Sequence, residues 1–279
     1  MSGPGLAGRA GTHQGERPLL IATDLDGTFL TSAGEVSART ARAWAALPER
    51  GIETVLVTAR PPRWLHDLAG VVGRHGIAIC GNGAFIYAVE RREVIETHCF
   101  DAQVLAAIIT DLRAEVPQVR FAVETASGPA FEERWPNPHR DDLMSTAPRG
   151  GVEVLLTEPV GKLLALAPRI PTEEFLAIVE AVVGPRGHLA YSGAFGLAEI
   201  NPPGVTKAAA LEQWAAERDI GAEAVWAFGD MPNDLPMLTW AGRGIAVANA
   251  HPDVLAIAEH VAPSNDDDGV AVTIEPLIG

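Results

Sequence analysis

The stretch Leu19-Leu20-Ile21-Ala22-Thr23-Asp24-Leu25-Asp26-Gly27-Thr28 decides the fold of this chain. Its leading apolar residues predict a short buried strand, and the polar residues that follow mark the end of that strand. Asp24 and Asp26 therefore leave the sheet together at a strand's carboxyl end, where open α/β sheets bind their ligands. Residues 24–28, taken alone, are also compatible with a turn in which Asp and Gly satisfy local backbone groups.

Short apolar segments that end in polar residues or glycine recur along the chain and alternate with helical patterns. They predict strands at residues 19–22, 54–57, 76–80, 224–228 and 244–248. Helical patterns occupy residues 36–47, 63–72, 207–218 and 253–260. Because strands that alternate with helices form parallel sheets, the predicted fold class is α/β, with a Rossmann-like doubly wound parallel sheet as its core.

The segment between residues 86 and 201 does not follow this alternation. Helical patterns at residues 104–115 and 173–183 are mixed there with strand-like segments at 119–123, 152–156, 162–166 and 196–200, and with a span rich in proline and glycine at 128–151. We interpret this segment as an inserted α+β domain. The predicted organisation is a disordered lead at residues 1–17, a core domain at 18–86 and 202–279, and the inserted domain at 87–201.

The composition argues against several classes of function. With 36 acidic and 21 basic residues, the formal net charge is −15, which does not suit a surface that tracks nucleic-acid phosphates. No apolar run approaches the roughly 18 to 20 residues that span a bilayer, and residues 1–17 lack the apolar segment of a signal peptide. We therefore expect a cytoplasmic protein with no nucleic-acid or membrane partner. The oligomeric state is left open.

The two carboxylates at the end of the first strand suit two different steps of phosphate-ester chemistry. A carboxylate can attack phosphorus and carry an acyl-phosphate, provided that the negative charge of the phosphoryl group is neutralised. A second acid must protonate the alkoxide that leaves. We therefore expect Asp24 to act as the nucleophile and Asp26 as the acid and later the base.

Four motifs appear in the order found in the haloacid dehalogenase (HAD) superfamily: residues 24–28, Thr58, Lys207, and Gly229-Asp230 with Asn233-Asp234. The chain resembles that superfamily over nearly its whole length. The resemblance implies that the Thr58 hydroxyl binds a phosphoryl oxygen and that Lys207 neutralises the charge of the nucleophile and the phosphoryl group. Taken singly, Thr58 is better explained by a local backbone bond, and Lys207 by a solvated first turn of a helix.

The same resemblance implies a Mg²⁺ site. Asp230 would bind the metal together with the Asp24 carboxylate and the Asp26 main-chain carbonyl, because Mg²⁺ prefers oxygen ligands. Asn233 and Asp234 complete the expected metal-binding set, in which Asp234 acts through a bound water or orients the lysine. This last pair could instead cap the helix that follows, and capping is compatible with metal binding.

Further features resemble the Cof-type branch of the superfamily, which carries an α+β cap of type IIB between the second and third motifs. They are Gly81-Asn82-Gly83-Ala84 after a predicted strand and Glu199-Ile200-Asn201-Pro202 before the lysine. In that branch the cap closes over the phosphate site and selects the leaving group. The cap cations that could face the site are Arg120, Arg134, Arg140, Arg149 and Lys162.

The residues that we expect to contact the substrate are Thr58, Arg60, Asn82, Gly83 and Lys207. Arg60 is equally compatible with the protein surface. The predicted function is Mg²⁺-dependent hydrolysis of a small phosphorylated metabolite, either a sugar phosphate or a nucleotide or cofactor phosphate. A phosphomutase uses similar catalytic parts. A binding protein on the same fold is the third possibility, although loss of turnover would be expected to go with loss of Asp24, Asp26 or Lys207.

Overall fold

The computed structural model describes residues 17–72, 76–136, 146–190 and 196–279. Nearly all of the lead predicted at residues 1–17 lies outside the described residues, and so does Arg140. Two sheets organise the described part of the chain, and a separate hydrophobic core packs against each of them.

The strands are numbered in chain order across both sheets. They are β1 (Leu20–Thr23), β2 (Glu53–Val57), β3 (Ile77–Cys80), β4 (Phe85–Ala88), β5 (Glu93–Thr97), β6 (Arg120–Thr125), β7 (Gly128–Glu132), β8 (Arg149–Gly150), β9 (Val160–Leu166), β10 (His188–Ala190), β11 (Leu197–Asn201), β12 (Val225–Gly229), β13 (Arg243–Val247) and β14 (His260–Ala262).

The described α-helices are α1 (Ala38–Ala46), α2 (Ala69–Val72), α3 (Ala102–Glu115), α4 (Val152–Leu155), α5 (Thr172–Val183), α6 (Lys207–Ala216), α7 (Leu235–Trp240), α8 (Pro252–Ile257) and α9 (Gly269–Ile278). Short 3-10 helices occupy Pro48–Arg50, Pro62–Leu68, Gly81–Gly83, Gly184–Arg186, Ala222–Ala224, Pro232–Asp234 and Asn265–Asp267. None of the helices in these ranges is long and apolar enough to cross a lipid bilayer.

The first sheet has eight strands in the order β14-β13-β12-β1-β2-β3-β4-β5. The strands from β14 to β3 pair in parallel, and β4 and β5 are added antiparallel at one edge. Strand β1 is buried along its whole length between β12 and β2. Burial on both faces explains why the strands read as continuous apolar runs. The predicted α/β class with a Rossmann-like core is confirmed.

The second sheet has six strands in the order β10-β11-β9-β6-β7-β8 and is antiparallel except for the pair β7 and β8. Helices α3 and α5 cover one of its faces, where Phe121, Leu163 and Ile200 join their buried side chains. Residues on the opposite face alternate with these, as the pleat of a strand requires. That opposite face carries Glu124, Lys162 and Glu199, which contact loops of the first sheet.

Two predicted elements differ from those in the structure. Residues 152–156, predicted as a strand, begin with helix α4, whose Leu155 is buried in the core of the second sheet. A short run of valine and leucine fits one turn of a helix as well as it fits a strand, so packing decides. The helix predicted at residues 63–72 is mostly 3-10 helical, because Pro62, Leu65 and Leu68 meet the core at a spacing of three.

The first sheet continues beyond residue 86, where the first segment of the core domain was predicted to end. Strand β4 pairs with β3, and β5 pairs with β4, so the pairing extends to Thr97. The sequence interpretation placed residues 87–97 in the inserted domain. A hairpin at the edge of a sheet interrupts the alternation of strands and helices in the same way as an inserted domain does, and only the pairing distinguishes the two.

We expect Trp44→Ala to lower the free energy of unfolding by about 3–5 kcal/mol, because it leaves a large cavity in the first core. The Trp44 side chain is 1% exposed, and its ring meets the edge of Phe29 at a centroid distance of 4.9 Å. Urea denaturation would measure the loss. The control is Ile257→Ala, which removes a side chain that is 54% exposed and should change stability by less than about 0.5 kcal/mol. A loss below about 1 kcal/mol for Trp44→Ala would contradict this packing.

Candidate active site

The chain leaves β1 through a tight turn that separates the two carboxylates of the first motif. Leu25–Phe29 form a single turn closed by the hydrogen bond from the Leu30 amide to the Leu25 carbonyl at 2.9 Å. Gly27 has a φ of 78°, which suits glycine. The turn leaves Asp24 buried at 4% exposure, whereas the side chain of Asp26 is 59% exposed. The two acids therefore occupy different environments although only one residue separates them.

Lys207 lies between two buried carboxylates. Its Nζ is 2.5 Å from Asp24 Oδ1 and 2.7 Å from Asp234 Oδ1, and all three side chains are buried. Burial by itself would lower the pKa of Lys207, but the charges of Asp234 and Asp24 outweigh it and raise that pKa above its ordinary value. The lysine is therefore charged, and it holds the nucleophile predicted at Asp24 in one orientation.

The lysine is placed by the first turn of α6. The hydroxyl of Thr206 accepts a hydrogen bond from the Ala209 amide at 3.1 Å and so caps the helix that begins at Lys207. A solvated lysine, the simpler interpretation of the sequence, does not describe this side chain, which is 3% exposed.

Asp234 fixes the loop that follows β12. Its Oδ2 accepts hydrogen bonds from the amides of Asp230 at 3.1 Å and Met231 at 3.0 Å, while its Oδ1 contacts the lysine. The carboxylate thus caps the 3-10 helix Pro232–Asp234 and orients the lysine at the same time. The sequence suggested a cap on the helix that follows, but the Asp234 side chain makes no capping hydrogen bond to α7, which begins at Leu235.

Asp230 lies on the other side of Asp24. Its Oδ1 accepts a hydrogen bond from Thr28 Oγ1 at 3.0 Å. Burial, with a further contribution from the charge of Asp234, raises the pKa of Asp230 to about 6. Burial also raises the pKa of Asp24, against the opposing effect of Lys207. Carboxylates that are brought together and desolvated in this way favour a bound cation.

The donor set fits a hard divalent cation. Asp24, Asp230 and Asp234 each offer a carboxylate oxygen, and the three oxygens lie within 4.8 Å of one another. Oxygen donors of this kind suit Mg²⁺. Asn233 lines one cleft together with Asp24 and Asp230, and its buried Oδ1 has no hydrogen-bond partner among the described residues. Of the residues predicted to bind metal, Asp24, Asp230 and Asp234 form this group. The predicted ligand on Asp26 is its main-chain carbonyl, and its carboxylate is not part of the group.

The carboxylate of Asp26 pairs with Arg60 instead. Arg60 donates two hydrogen bonds to it, from Nε at 2.8 Å and from Nη2 at 2.5 Å. Both side chains are partly exposed, so the pair contributes no more than about 1 kcal/mol and can separate when a substrate enters. Arg60 was equally compatible with a surface position in the sequence, and it proves to line the cleft.

Thr58, Asn82 and Gly83 are absent from the lining of this cleft, and Asn82 lines an adjacent cavity together with Lys207 and Asn233. The Thr58 hydroxyl accepts a hydrogen bond from the Arg60 amide at 3.1 Å, and the Asn82 amide donates to the Thr58 carbonyl at 3.0 Å. Asn82 is left-handed, with a φ of 58°, and Gly83 has a φ of 109°. A Cβ on Gly83 would lie 2.6 Å from the Thr206 carbonyl oxygen. The three residues thus join β2, β3 and α6 in one packed unit.

Two buried ion pairs lie where the second sheet meets these loops of the first sheet, and the sequence interpretation assigned neither of them. Glu199 Oε2 is 2.5 Å from Lys162 Nζ and accepts a hydrogen bond from Asn82 Nδ2 at 3.2 Å. Lys162 Nζ also donates to the Ala59 carbonyl at 2.9 Å. In the sequence, this pair could have been recognised from charged residues that lie within strands between apolar neighbours. A buried charge in such a position is unfavourable unless it is paired.

The second pair joins Arg63 and Glu124. Arg63 Nη2 is 3.0 Å from Glu124 Oε1, its Nη1 contacts Oε2, and both side chains are at most 10% exposed. Burial raises the pKa of Glu124, against the effect of Arg63. Of the four predicted cap cations that the structure describes, Lys162 is the one that contacts residues of the cleft lining, Ala59 and Glu199. Arg120, Arg134 and Arg149 are absent from the cleft lining.

The cleft has a volume of about 770 Å³. It contains acidic, cationic and apolar side chains, and the second sheet contributes Glu199 to it. The sequence interpretation gave no role to Trp64 or to Glu199. The lining residues are Asp24, Asp26, Gly27, Ala59, Arg60, Trp64, Glu199, Lys207, Asp230, Met231 and Asn233.

Comparison with known proteins identifies relatives over nearly the full chain. The haloacid dehalogenase-like hydrolase family matches residues 21–274. The putative phosphatase YxeH of Bacillus subtilis is 27% identical over 274 residues, which cover 93% of this chain and 98% of that protein. The HMP-PP phosphatase of Cronobacter sakazakii is 27% identical over 251 residues, which cover 87% of this chain and 88% of that protein.

A solved structure also matches this chain over nearly its full length. The structure of SMU.1108c from Streptococcus mutans has a TM-score of 0.79 at 27% identity, over 93% of this chain and 98% of that chain. The predicted resemblance to the HAD superfamily and its Cof-type branch is confirmed, and relatives named as phosphatases support the predicted class of enzyme, a phosphoric monoester hydrolase. Since the match extends from β1 into α9 and includes all four motifs, the chain belongs to the haloacid dehalogenase-like hydrolase family.

Proposed function

We propose that this protein hydrolyses a small phosphate monoester with Mg²⁺ as cofactor and an aspartyl-phosphate on Asp24 as intermediate. The observation that carries the proposal is the buried contact of Lys207 with Asp24 and Asp234, beside the carboxylate of Asp230. A charged lysine that neutralises an adjacent carboxylate prepares a site for a doubly charged phosphoryl group. The names of the relatives, YxeH and HMP-PP phosphatase among them, support the same reaction.

In the first step a carboxylate oxygen of Asp24 attacks phosphorus, and the bond from phosphorus to the ester oxygen breaks. Asp26 donates its proton to the alkoxide that leaves. In the second step Asp26 takes a proton from water, the water oxygen attacks phosphorus, and inorganic phosphate leaves Asp24 free. Asp24 and Asp230, with Asp234 and Asn233 beside them, would hold Mg²⁺, which supplies positive charge against the phosphoryl oxygens.

The ion pair between Arg60 and Asp26 must open before Asp26 can act as the acid. Asp26 is bound on both carboxylate oxygens by the guanidinium, so it must leave Arg60 before it can reach an ester oxygen. An entering phosphoryl group offers Arg60 a bidentate anion of the same geometry. Exchange of partners at Arg60 would therefore release the acid only when substrate is present.

In the proposed mechanism the role of Thr58, Asn82 and Gly83 is to position Lys207. They pack the second motif against the helix that carries Lys207, which keeps the lysine fixed relative to the cleft. We propose a sugar phosphate, or a nucleotide or cofactor phosphate, as the substrate. We also propose that the protein is cytoplasmic.

We expect phosphate release from a panel of sugar phosphates, nucleotides and cofactor phosphates, in the presence of Mg²⁺, to depend on Asp24. Asp24→Asn keeps the size of the side chain and removes the nucleophilic charge, so kcat should fall by at least about a thousandfold. EDTA should abolish release by the wild type, and added Mg²⁺ should restore it.

Release that survives in Asp24→Asn would refute the nucleophile. Transfer of phosphate between positions of a sugar, without release, would indicate a phosphomutase. Failure of every compound, with Mg²⁺ bound, would favour a binding protein.

We expect Gly27→Ala to weaken the metal site, because its Cβ would lie 2.4 Å from Asp230 Oδ2. The variant should lose the increase in melting temperature that Mg²⁺ gives the wild type, and its kcat should fall at least about tenfold. Gly34→Ala is the matched control, since Gly34 has the same φ of 78° but no atom within 4 Å of the added Cβ.

Both substitutions strain the backbone by a similar amount. Equal responses to Mg²⁺ in the two variants would contradict the role of Asp230 as a metal ligand.

A further inference from the structure

The cationic side chains that line the cleft are already in contact with carboxylates. Among the described lining residues, the cations are Arg60 and Lys207. Arg60 pairs with Asp26, and Lys207 contacts Asp24 and Asp234. A phosphoryl group at Asp24 would draw on both cations and on the metal. Within the part of the chain that the structure describes, the lining holds no further cation for a second anionic group elsewhere on the substrate.

Among the described lining residues, the charged side chains other than Arg60 and Lys207 are all carboxylates. Glu199 lines the cleft from the second sheet, and its nearest cation, Lys162, is 4% exposed and is also bound to the Ala59 carbonyl. A second phosphate or a carboxylate on the leaving group would therefore meet a carboxylate and no available cation. Like charges at this distance oppose binding. The leaving group that fits is uncharged or positively charged.

Trp64 supplies the main apolar surface of the cleft. Five large apolar side chains are exposed in the described part of the chain, and Trp64, at 40%, is the aromatic one among them. It is also the member of this group that lines the cleft, where Ala59 and Met231 lie with it. An exposed indole is unfavourable in water and provides a flat surface for another ring.

Contacts on both sides of Trp64 in the chain restrict the position of this indole. Trp64 lies in the 3-10 helix Pro62–Leu68, whose Pro62 and Leu65 are buried in the first core. The guanidinium of Arg63 lies over the indole ring, 5.6 Å from its centroid, and is itself held in the buried pair with Glu124. A rigid aromatic surface loses little conformational entropy when a ligand stacks on it.

We propose that the substrate is a phosphate monoester whose leaving group contains a flat aromatic ring without a second negative charge, and that this ring stacks on Trp64. The proposal rests on the proposed phosphatase function and narrows its substrate class. Stacking of two rings favours an aromatic over an aliphatic leaving group of equal size by about two- to tenfold. The acidic wall at Glu199 disfavours a ring that carries a carboxylate or a second phosphate.

The test uses three synthetic esters: benzyl phosphate, cyclohexylmethyl phosphate and 4-carboxybenzyl phosphate. The first two leave as similar primary alcohols and differ mainly in the aromaticity of the ring, and the third adds one negative charge. For the wild type we expect kcat/KM for benzyl phosphate to exceed that for cyclohexylmethyl phosphate about fivefold and that for the carboxylated ester at least about tenfold.

Trp64→Phe should keep the preference for benzyl phosphate over cyclohexylmethyl phosphate, and Trp64→Leu should reduce that ratio of kcat/KM below about twofold. Ile95→Ala is the control, because Ile95 is also 40% exposed and is absent from the cleft lining. It should change none of the ratios. Melting temperatures of all variants would show whether the fold is retained.

Calorimetric binding of the same esters to the wild type in the presence of Mg²⁺ separates the two proposals. Hydrolysis of benzyl and cyclohexylmethyl phosphate at equal kcat/KM would overturn the stacking proposal while the phosphatase function stands. Preferential binding of benzyl phosphate without hydrolysis would support stacking and refute the phosphatase function. Binding without any preference would refute stacking whether or not the esters are hydrolysed.

Discussion

The contact of one buried ammonium group with two buried carboxylates is the constraint on which the site depends. Lys207, Asp24 and Asp234 are each at most 4% exposed, so none of the three charges can be stabilised by water alone. Removal of one charged partner leaves a buried charge uncompensated and lowers the free energy of unfolding by about 3–5 kcal/mol. Three segments must therefore meet at fixed positions: the end of β1, the first turn of α6 and the loop after β12.

The strand order of the first sheet brings these three segments together. Strands β1 and β12 are parallel neighbours, so the residues that follow them emerge side by side at the same edge. Helix α6 reaches that edge with its N-terminus, where its unpaired amides and positive dipole end add to the field of the lysine. The same arrangement brings Asp230 beside Asp24, and the resulting repulsion between carboxylates is what a divalent cation would relieve.

The second sheet is attached to this site by buried polar contacts. Lys162 and Glu199 reach the loop after β2 and the turn after β3, and Glu124 holds Arg63 next to Trp64. Buried ion pairs contribute little net stability, but they are costly to misalign, so they favour one relative arrangement of the two sheets. The structure thus links the position of the second sheet to the loops beside Asp24 and Arg60.

The sequence alone determined the α/β class, the four motifs and the identity of the residues around Asp24, because apolar runs and the polar residues at their ends are local properties of the chain. It did not distinguish the edge hairpin of β4 and β5 from an inserted domain, or helix α4 from a strand, because both choices depend on long-range pairing and packing. Only the tertiary structure decided which side chains face the cleft. Thr58 and Asn82 are absent from its lining, and Arg60 binds Asp26. Trp64 and Glu199, from segments distant in sequence, become its walls because two separate sheets meet there.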